Sequence, residues 1–326
     1  METFPIYYKG LENLNEKRKK GKYQYDDNEN YYNIHINDHI VNRYQIIKKL
    51  GRGTFGNVVL GFDHKKISLH AIKLVRNEPR FINTTSREII FLNDLRGSKY
   101  IINLEKDFEF NNHICLVFEC FGIDLYQKYI KKKIHIEHDL YFNIIYQILK
   151  GLDFIHSKNI IHLDLKPENI LISKSKIKII DFGSSIRCNE KITNWYVQSR
   201  WYRSPEALLE YKYNYTVDIW SYGCVVYELF TLKPLFSGKN TINQIYKIYL
   251  ELGCYPDKYH NNKYLCNGEP ISIGYNGKQN NKNALMYIQK NNLDLYNFII
   301  KCIQLDCDNR LNAKELVNDS LFKNIY

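Results

Sequence analysis

Cysteine occurs eight times in the 326-residue chain, yet no two cysteines stand in a C-x-x-C spacing. Cys115, Cys120, Cys188, Cys224, Cys254, Cys266, Cys302 and Cys307 are scattered. Neither a zinc pattern nor a disulfide framework is expected, and reduced thiols are the default. Long apolar runs are also missing. The most apolar stretch, VDIWSYGCVVYELF (217–230), carries Asp218 and Glu228. It is too short and too polar to span a bilayer and reads as a buried core helix. No membrane partner is expected. The start, METFPIYYKG, lacks a basic segment followed by an apolar run, so no secretory signal is read. The expected location is intracellular, cytoplasmic and/or nuclear. No internal repeat is found.

Apolar residues make up 44% of the chain and charged residues 25%. This is the balance of a soluble globular protein, long enough for one large or two modest cores. The net charge of +11 raises the question of nucleic-acid or acidic partners. Lys, Asn, Ile and Tyr are abundant along the whole chain, however, so solvated surface is the plainer reading. Nucleic acid is not expected as a partner. The one dense basic run, EKRKKGK (16–22), reads either as a nuclear import signal or as a solvated arm.

Residues 1–36 are polar, without clear periodicity, and read as irregular or disordered. From Tyr44 the pattern changes. RYQIIKKLG, NVVLGFD and LHAIKLVR (69–76) read as strands, TSREIIFLNDL (85–95) as a helix, and HICLVFEC (113–120) as a further strand. Helical patterns follow at 139–158, 216–230, 242–253 and 295–303. The Asn/Lys-rich stretch 256–292 reads as a surface insertion. The expectation is an α+β, two-lobe plan. Residues 1–43 form an N-terminal extension, 44–121 a small sheet-rich lobe and 122–326 a larger helical lobe.

Four motifs carry chemistry. In LGRGTFGNVVLG, Gly51, Gly53 and Gly56 form G-x-G-x-x-G. Glycine lets backbone N–H groups approach phosphate, though a hairpin turn or a dinucleotide loop uses the same spacing. The β-type run that follows favours strand–loop–strand. Lys73, in HAIKL, sits on a strand where an ammonium can meet nucleotide phosphates. Glu88, 15 residues on, can hold it as an ion-pair partner. Taken singly, Glu88 would read as an exposed helix carboxylate.

The third motif is IIHLDLKPENI (160–170). Asp164 can accept the proton of a substrate hydroxyl, Lys166 can balance charge on the phosphoryl group, and Asn169 can ligate Mg²⁺. His162 reads as a packing and orienting residue. The fourth is KIKIIDFG (176–183), where Asp181 ends an apolar strand 17 residues after Asp164 and offers a hard oxygen ligand for Mg²⁺. Their order and separation together point to phosphoryl transfer from a Mg²⁺-bound nucleotide.

Over residues 44–326 the sequence resembles the eukaryotic protein kinases. RSPEALL (203–209) resembles the segment that closes an activation loop. The helix containing Asp218 resembles the central buried helix, with Asp218 expected to brace the catalytic loop. Arg310 is expected to pair with Glu206. Within the family the chain is most similar to the dual-specificity tyrosine-regulated, Yak-type group. NDHIVNRYQI (37–46), LVRNEPRF (74–81), DFGSS and above all WYVQSRWYRSPE (195–206) carry that resemblance.

The resemblance implies ATP and Mg²⁺ as cofactors, transfer to Ser or Thr of protein substrates, and tyrosine autophosphorylation at Tyr196. It implies a monomer. It places Asp164, Lys166 and Lys73 in catalysis and Asn169 and Asp181 on the metal. The nucleotide is expected to meet Leu50, Gly51, Arg52, Gly53, Thr54, Phe55, Gly56, Asn57 and Val58. Ala71, Lys73, Glu88, the gatekeeper Phe118, Glu119, Cys120 and Leu171 complete that set. Arg200 and Arg203 would read a phosphate on Tyr196. Proline after the phosphoacceptor, and arginine before it, are family expectations.

Two departures stand out. A second loop tyrosine is replaced by Asn194. Leu163 stands where the pattern H-R-D-L-x-x-x-N has arginine, a position that often holds cysteine in the tyrosine-regulated group. The rival readings are a pseudokinase scaffold, disfavoured because Lys73, Asp164 and Asp181 are all present, and a small-molecule phosphotransferase.

Overall fold

The computed structural model describes residues 25–190, 196–271 and 284–323. The basic run 16–22, Asn194 and residues 272–283 lie outside the described residues. Two compact units emerge. One comprises the described residues up to Arg96 together with Ile102–Phe121; the other comprises Gly97–Ile101 and the described residues from Gly122 onward.

The first unit is a six-stranded antiparallel sheet in the order β1-β2-β3-β4-β6-β5. The strands are β1 (His39–Ile40), β2 (Tyr44–Gly53), β3 (Gly56–Asp63), β4 (Ser68–Val75), β5 (Leu104–Phe110) and β6 (His113–Glu119). Side chains alternate along β4: His70, Ile72 and Leu74 are buried, whereas Ala71 and Lys73 turn to the other face. Val58 pairs with Lys73 across the ladder. Gly56, at the head of β3, has φ 154°, and a Cβ there would lie 2.2 Å from the Leu74 carbonyl oxygen. No other residue fits this approach. Helix α1 (Pro79–Asp94) begins six residues before the apolar periodicity does, because Pro79 starts it after an extended Glu78 and Phe81 is buried.

The segment before the sheet departs from its sequence reading. It is irregular, as expected, but packed rather than disordered from residue 25 on. Asp26 and Tyr32 form an isolated antiparallel bridge. Tyr32 joins the cluster of Ile40, Tyr44, Ile46, Val59, Ile72, Leu74, Cys115 and Val117. Asp26 and His113, both fully buried, meet at 2.8 Å, while the other His113 ring nitrogen faces the Val75 carbonyl at 2.7 Å. Removing one partner of such a pair strands a polar group in the core, at a cost of about 3–5 kcal/mol. Periodicity rules miss this packing because one or two anchoring side chains do not make a period.

The second unit is built on helices α2 (His138–Ser157), α3 (Pro205–Leu208), α4 (Thr216–Thr231), α5 (Thr241–Leu252), α6 (Ala284–Asn291), α7 (Leu293–Cys302) and α8 (Ala313–Val317). Helix α4 is buried continuously from Thr216 to Leu229, which explains its apolar, unstriped sequence. Short strands β7 (Ile123–Asp124), β8 (Ile160–Ile161), β9 (Ile170–Ser173), β10 (Lys176–Ile179) and β11 (Ile186–Arg187) frame the loop 162–169. The stretch read as a surface insertion is partly core: Tyr259, Leu265, Leu285 and Ile288 are buried, and β12 (Leu265–Cys266) pairs with β13 (Glu269–Pro270). Its many Asn and Lys residues hid a few widely spaced apolar anchors.

Candidate active site

In the first unit the Lys73 ammonium lies 2.8 Å from Glu88 Oε2 and 3.1 Å from Oε1. Glu88 is buried on α1 and Lys73 half-buried on β4. Low solvent exposure strengthens such a pair well beyond a surface contact. Phe55, in the turn between β2 and β3, places its ring 5.5 Å from Lys73 Nζ. Leu50, Gly51, Arg52, Gly53 and Thr54 are exposed, and Val58 and Ala71 are half-buried. Asn57 turns inward, donating its amide to the Tyr32 carbonyl at 3.1 Å. On β6, Phe118 pairs with Ala71 and the Glu119 carboxylate accepts the Asn103 amide at 2.9 Å. Cys120 is exposed.

In the second unit the Asp164 carboxylate is held from both sides. Oδ2 accepts Lys166 Nζ at 2.7 Å and Asn169 Nδ2 at 3.1 Å. Oδ1 accepts the Ser199 hydroxyl at 2.7 Å and the Ser199 amide at 3.1 Å. The carboxylate thus already receives an alcohol in hydrogen-bond geometry. Lys166 also reaches the Ser199 hydroxyl at 2.9 Å. Motif reading missed Ser199, a common residue type 35 positions from Asp164; the WYVQSRWYRSPE resemblance was the one available signal.

The Asn169 amide nitrogen faces the Asp164 carbonyl at 2.8 Å as well as its carboxylate. Amide geometry therefore turns Oδ1 the other way. The Asn169 carbonyl accepts the Ile180 amide at 3.0 Å, which brings Asp181 alongside this loop. An amide oxygen and a carboxylate are donors of the kind Mg²⁺ takes, so these residues fit that ion. Leu171, on β9, is half-buried.

His162 is an orienting residue. Its Nδ1 accepts the Asp164 amide at 3.2 Å and its Nε2 donates to the Ile180 carbonyl at 3.1 Å. Asp218, fully buried on α4, accepts the amides of His162 (2.8 Å) and Leu163 (2.9 Å) and the His156 Nε2 proton at 2.9 Å. Burial alone would raise its carboxyl; the His156 side chain and the His162 backbone outweigh this and hold it below the ordinary range. His156 was not singled out by sequence, since a histidine near a helix end has no distinguishing pattern. Arg310 and Glu206, both fully buried, form a bidentate pair at 2.7 and 3.1 Å.

Tyr196 is exposed beside two arginines. Arg203 stacks on its ring at 3.9 Å and Arg200 reaches its hydroxyl at 3.5 Å. Arg203 first, then Arg200, lower the phenol below its usual pKa. Arg203 also donates to the Gln198 carbonyl at 2.8 and 3.3 Å, and Gln198 has a left-handed φ of 64°.

The protein kinase domain family matches residues 44–322. The chain belongs to the protein kinase family. Within it the chain stands with the dual-specificity tyrosine-regulated group. Dual specificity tyrosine-phosphorylation-regulated kinase 3 of Homo sapiens is 41% identical over 244 residues, 72% of this chain and 41% of that protein. The probable serine/threonine-protein kinase dyrk2 of Dictyostelium discoideum is 36% identical over 354 residues, 98% of this chain and 37% of that protein. Dual specificity tyrosine-phosphorylation-regulated kinase 2 of Drosophila melanogaster is 41% identical over 241 residues, 71% and 33% of the two chains. The chain therefore spans well under half the length of these relatives. Among the described residues, no helix is long and apolar enough to cross a membrane.

Proposed function

We propose that this chain is an active ATP- and Mg²⁺-dependent kinase that phosphorylates serine or threonine in protein substrates and autophosphorylates Tyr196. The carrying observation is the Asp164 carboxylate, held between Lys166, Asn169 and Ser199 and already accepting an alcohol at 2.7 Å. A substrate hydroxyl replacing the Ser199 hydroxyl would be oriented by Asp164, which takes its proton as the phosphoryl group arrives. Lys166 balances charge on the phosphoryl oxygens. Lys73, fixed by Glu88, pairs with nucleotide phosphates, and backbone N–H groups of the glycine-rich loop face them. Asn169 and Asp181 would hold Mg²⁺ when it is bound with the nucleotide, and the ion would supply neutralisation of phosphate charge.

Two features bear on substrate choice. Arg203 engages the Gln198 carbonyl, so this backbone offers little to the N–H of a bound peptide. Proline, which has no N–H, loses nothing there. Glu228 is buried, and burial first, then the nearby Glu168 charge, push its carboxyl up to about 7 against the Tyr202 hydrogen bond. A cationic side chain would relieve that site, which supports arginine before the phosphoacceptor. The scattered free cysteines fit an enzyme of the cell interior. The test is ATP turnover by wild type and Asp164→Asn on a peptide library, with phosphosite mapping.

A further inference from the structure

We propose that Tyr31 is a strut that orients the glycine-rich loop, which makes the segment before the kinase domain part of the nucleotide-binding apparatus. The proposal rests on the reading of that loop as an ATP site.

The tip of the loop has little packing of its own. Gly51, Gly53 and Thr54 are exposed, and a Cβ on Gly51 or Gly53 would meet nothing within 4 Å among the described residues. A glycine-rich turn of this kind loses much conformational entropy when fixed. Tyr31 holds it from the N-terminal side. Its hydroxyl faces the Gly53 carbonyl at 3.0 Å and the Thr54 carbonyl at 3.4 Å. Peptide planarity sets the consequence. The N–H of Thr54 shares a plane with the Gly53 carbonyl, and that of Phe55 with the Thr54 carbonyl, each pointing opposite to its oxygen. Drawing both carbonyls to one hydroxyl aims both amides away from Tyr31, where consecutive N–H groups form a nest for a phosphate oxygen.

The strut is itself rigid. Tyr31 is 7% exposed. Arg52 lies over its ring at 3.8 Å and Arg76 at 4.8 Å. Arg52 pairs with Asp27 at 3.2 Å and also with Glu29. Arg76 donates to the Glu29 carbonyl at 2.5 Å, and its amide donates to the Phe55 carbonyl at 2.9 Å. Asp27 fixes the turn by accepting the amides of Glu29 (2.9 Å) and Tyr31 (3.0 Å).

The experiment is steady-state kinetics with melting temperatures on purified full-length chain. Tyr31→Phe keeps the ring between the arginines and removes the hydroxyl alone. KM for ATP is expected to rise about 3–10-fold, with kcat at saturating ATP, KM for the peptide and the melting temperature nearly unchanged. Tyr31→Ala should raise KM for ATP further. Asn30→Gly suits the left-handed φ of 63° and removes only a long amide contact to Glu78 at 3.5 Å; it should leave KM for ATP alone. An unchanged KM for ATP in Tyr31→Phe overturns the strut, whether or not the melting temperature falls. So does failure of both Tyr31 variants to fold, which would mark a core residue. Wild-type turnover separates this from the parent reading: if wild type transfers no phosphate from ATP, it is the kinase reading that fails.

Discussion

The Leu163 amide donates to Asp218 Oδ1 at 2.9 Å while the Leu163 backbone sits at a left-handed φ of 64°. A β-unbranched side chain tolerates that conformation only when its surroundings impose it. Here the side chain is fully buried with Ile161, Tyr213 and Val217. The position that commonly carries arginine is an apolar core site in this chain, and Asp218 still fixes the backbone that presents Asp164.

Leu163→Arg should therefore destabilise the protein. A guanidinium placed among Ile161, Tyr213 and Val217 would meet no carboxylate within that described cluster, and burying an unpaired charge costs about 3 kcal/mol or more. Chemical denaturation should show that loss, and the folded fraction should gain no activity. Leu163→Cys should cost less. An arginine variant of wild-type stability and higher activity would contradict the account of this position.

Glu228 gives a pH dependence with a definite sign. Its folded carboxyl titrates at about 7, above the ordinary 4.5, so the folded state holds a proton that the unfolded state has released. Stability from this group is present below pH ~4.5 and is lost as pH rises to ~7, by an amount on the order of 3 kcal/mol. Glu228→Gln keeps an acceptor for Tyr202 and should flatten melting temperature against pH between 5 and 8. It should also reduce preference for arginine-containing peptides by about tenfold. A variant with the wild-type pH profile would remove this assignment.

Tyr196 is predicted to carry phosphate without any upstream enzyme. Arg203 and Arg200 already depress its hydroxyl, and a phosphate would gain charge-assisted hydrogen bonds from both. Protein made in bacteria should contain phosphotyrosine at 196 by mass spectrometry. Tyr196→Phe, expressed from the start, should lose about tenfold in specific activity. Bacterial protein without that mark, activated only by a second kinase, would contradict this.

What was legible in the sequence follows physical lines. Lys73, Asp164, Asn169 and Asp181 stood out as candidates because phosphoryl-transfer chemistry fixes both residue type and spacing. The strands and long helices were readable because burial on one face writes a period. Ser199, His156 and Gln198 were not singled out, since their environments arise from tertiary placement: Ser199 meets Asp164 across 35 residues, and His156 meets Asp218 across 62. The turn around Tyr31 escaped for the same reason. Its anchors are single polar contacts to Gly53, His113 and Asn57, which leave no period to detect.

The central claim is that Asp164 receives the substrate hydroxyl in an ATP-dependent transfer. The most direct measurement is the single-turnover rate of transfer from labelled ATP to a Ser/Thr peptide by wild type and Asp164→Asn, at matched melting temperature. The account predicts transfer by wild type and a loss of about 10²–10⁴-fold in the variant. Equal rates, or no transfer by either protein, would contradict it.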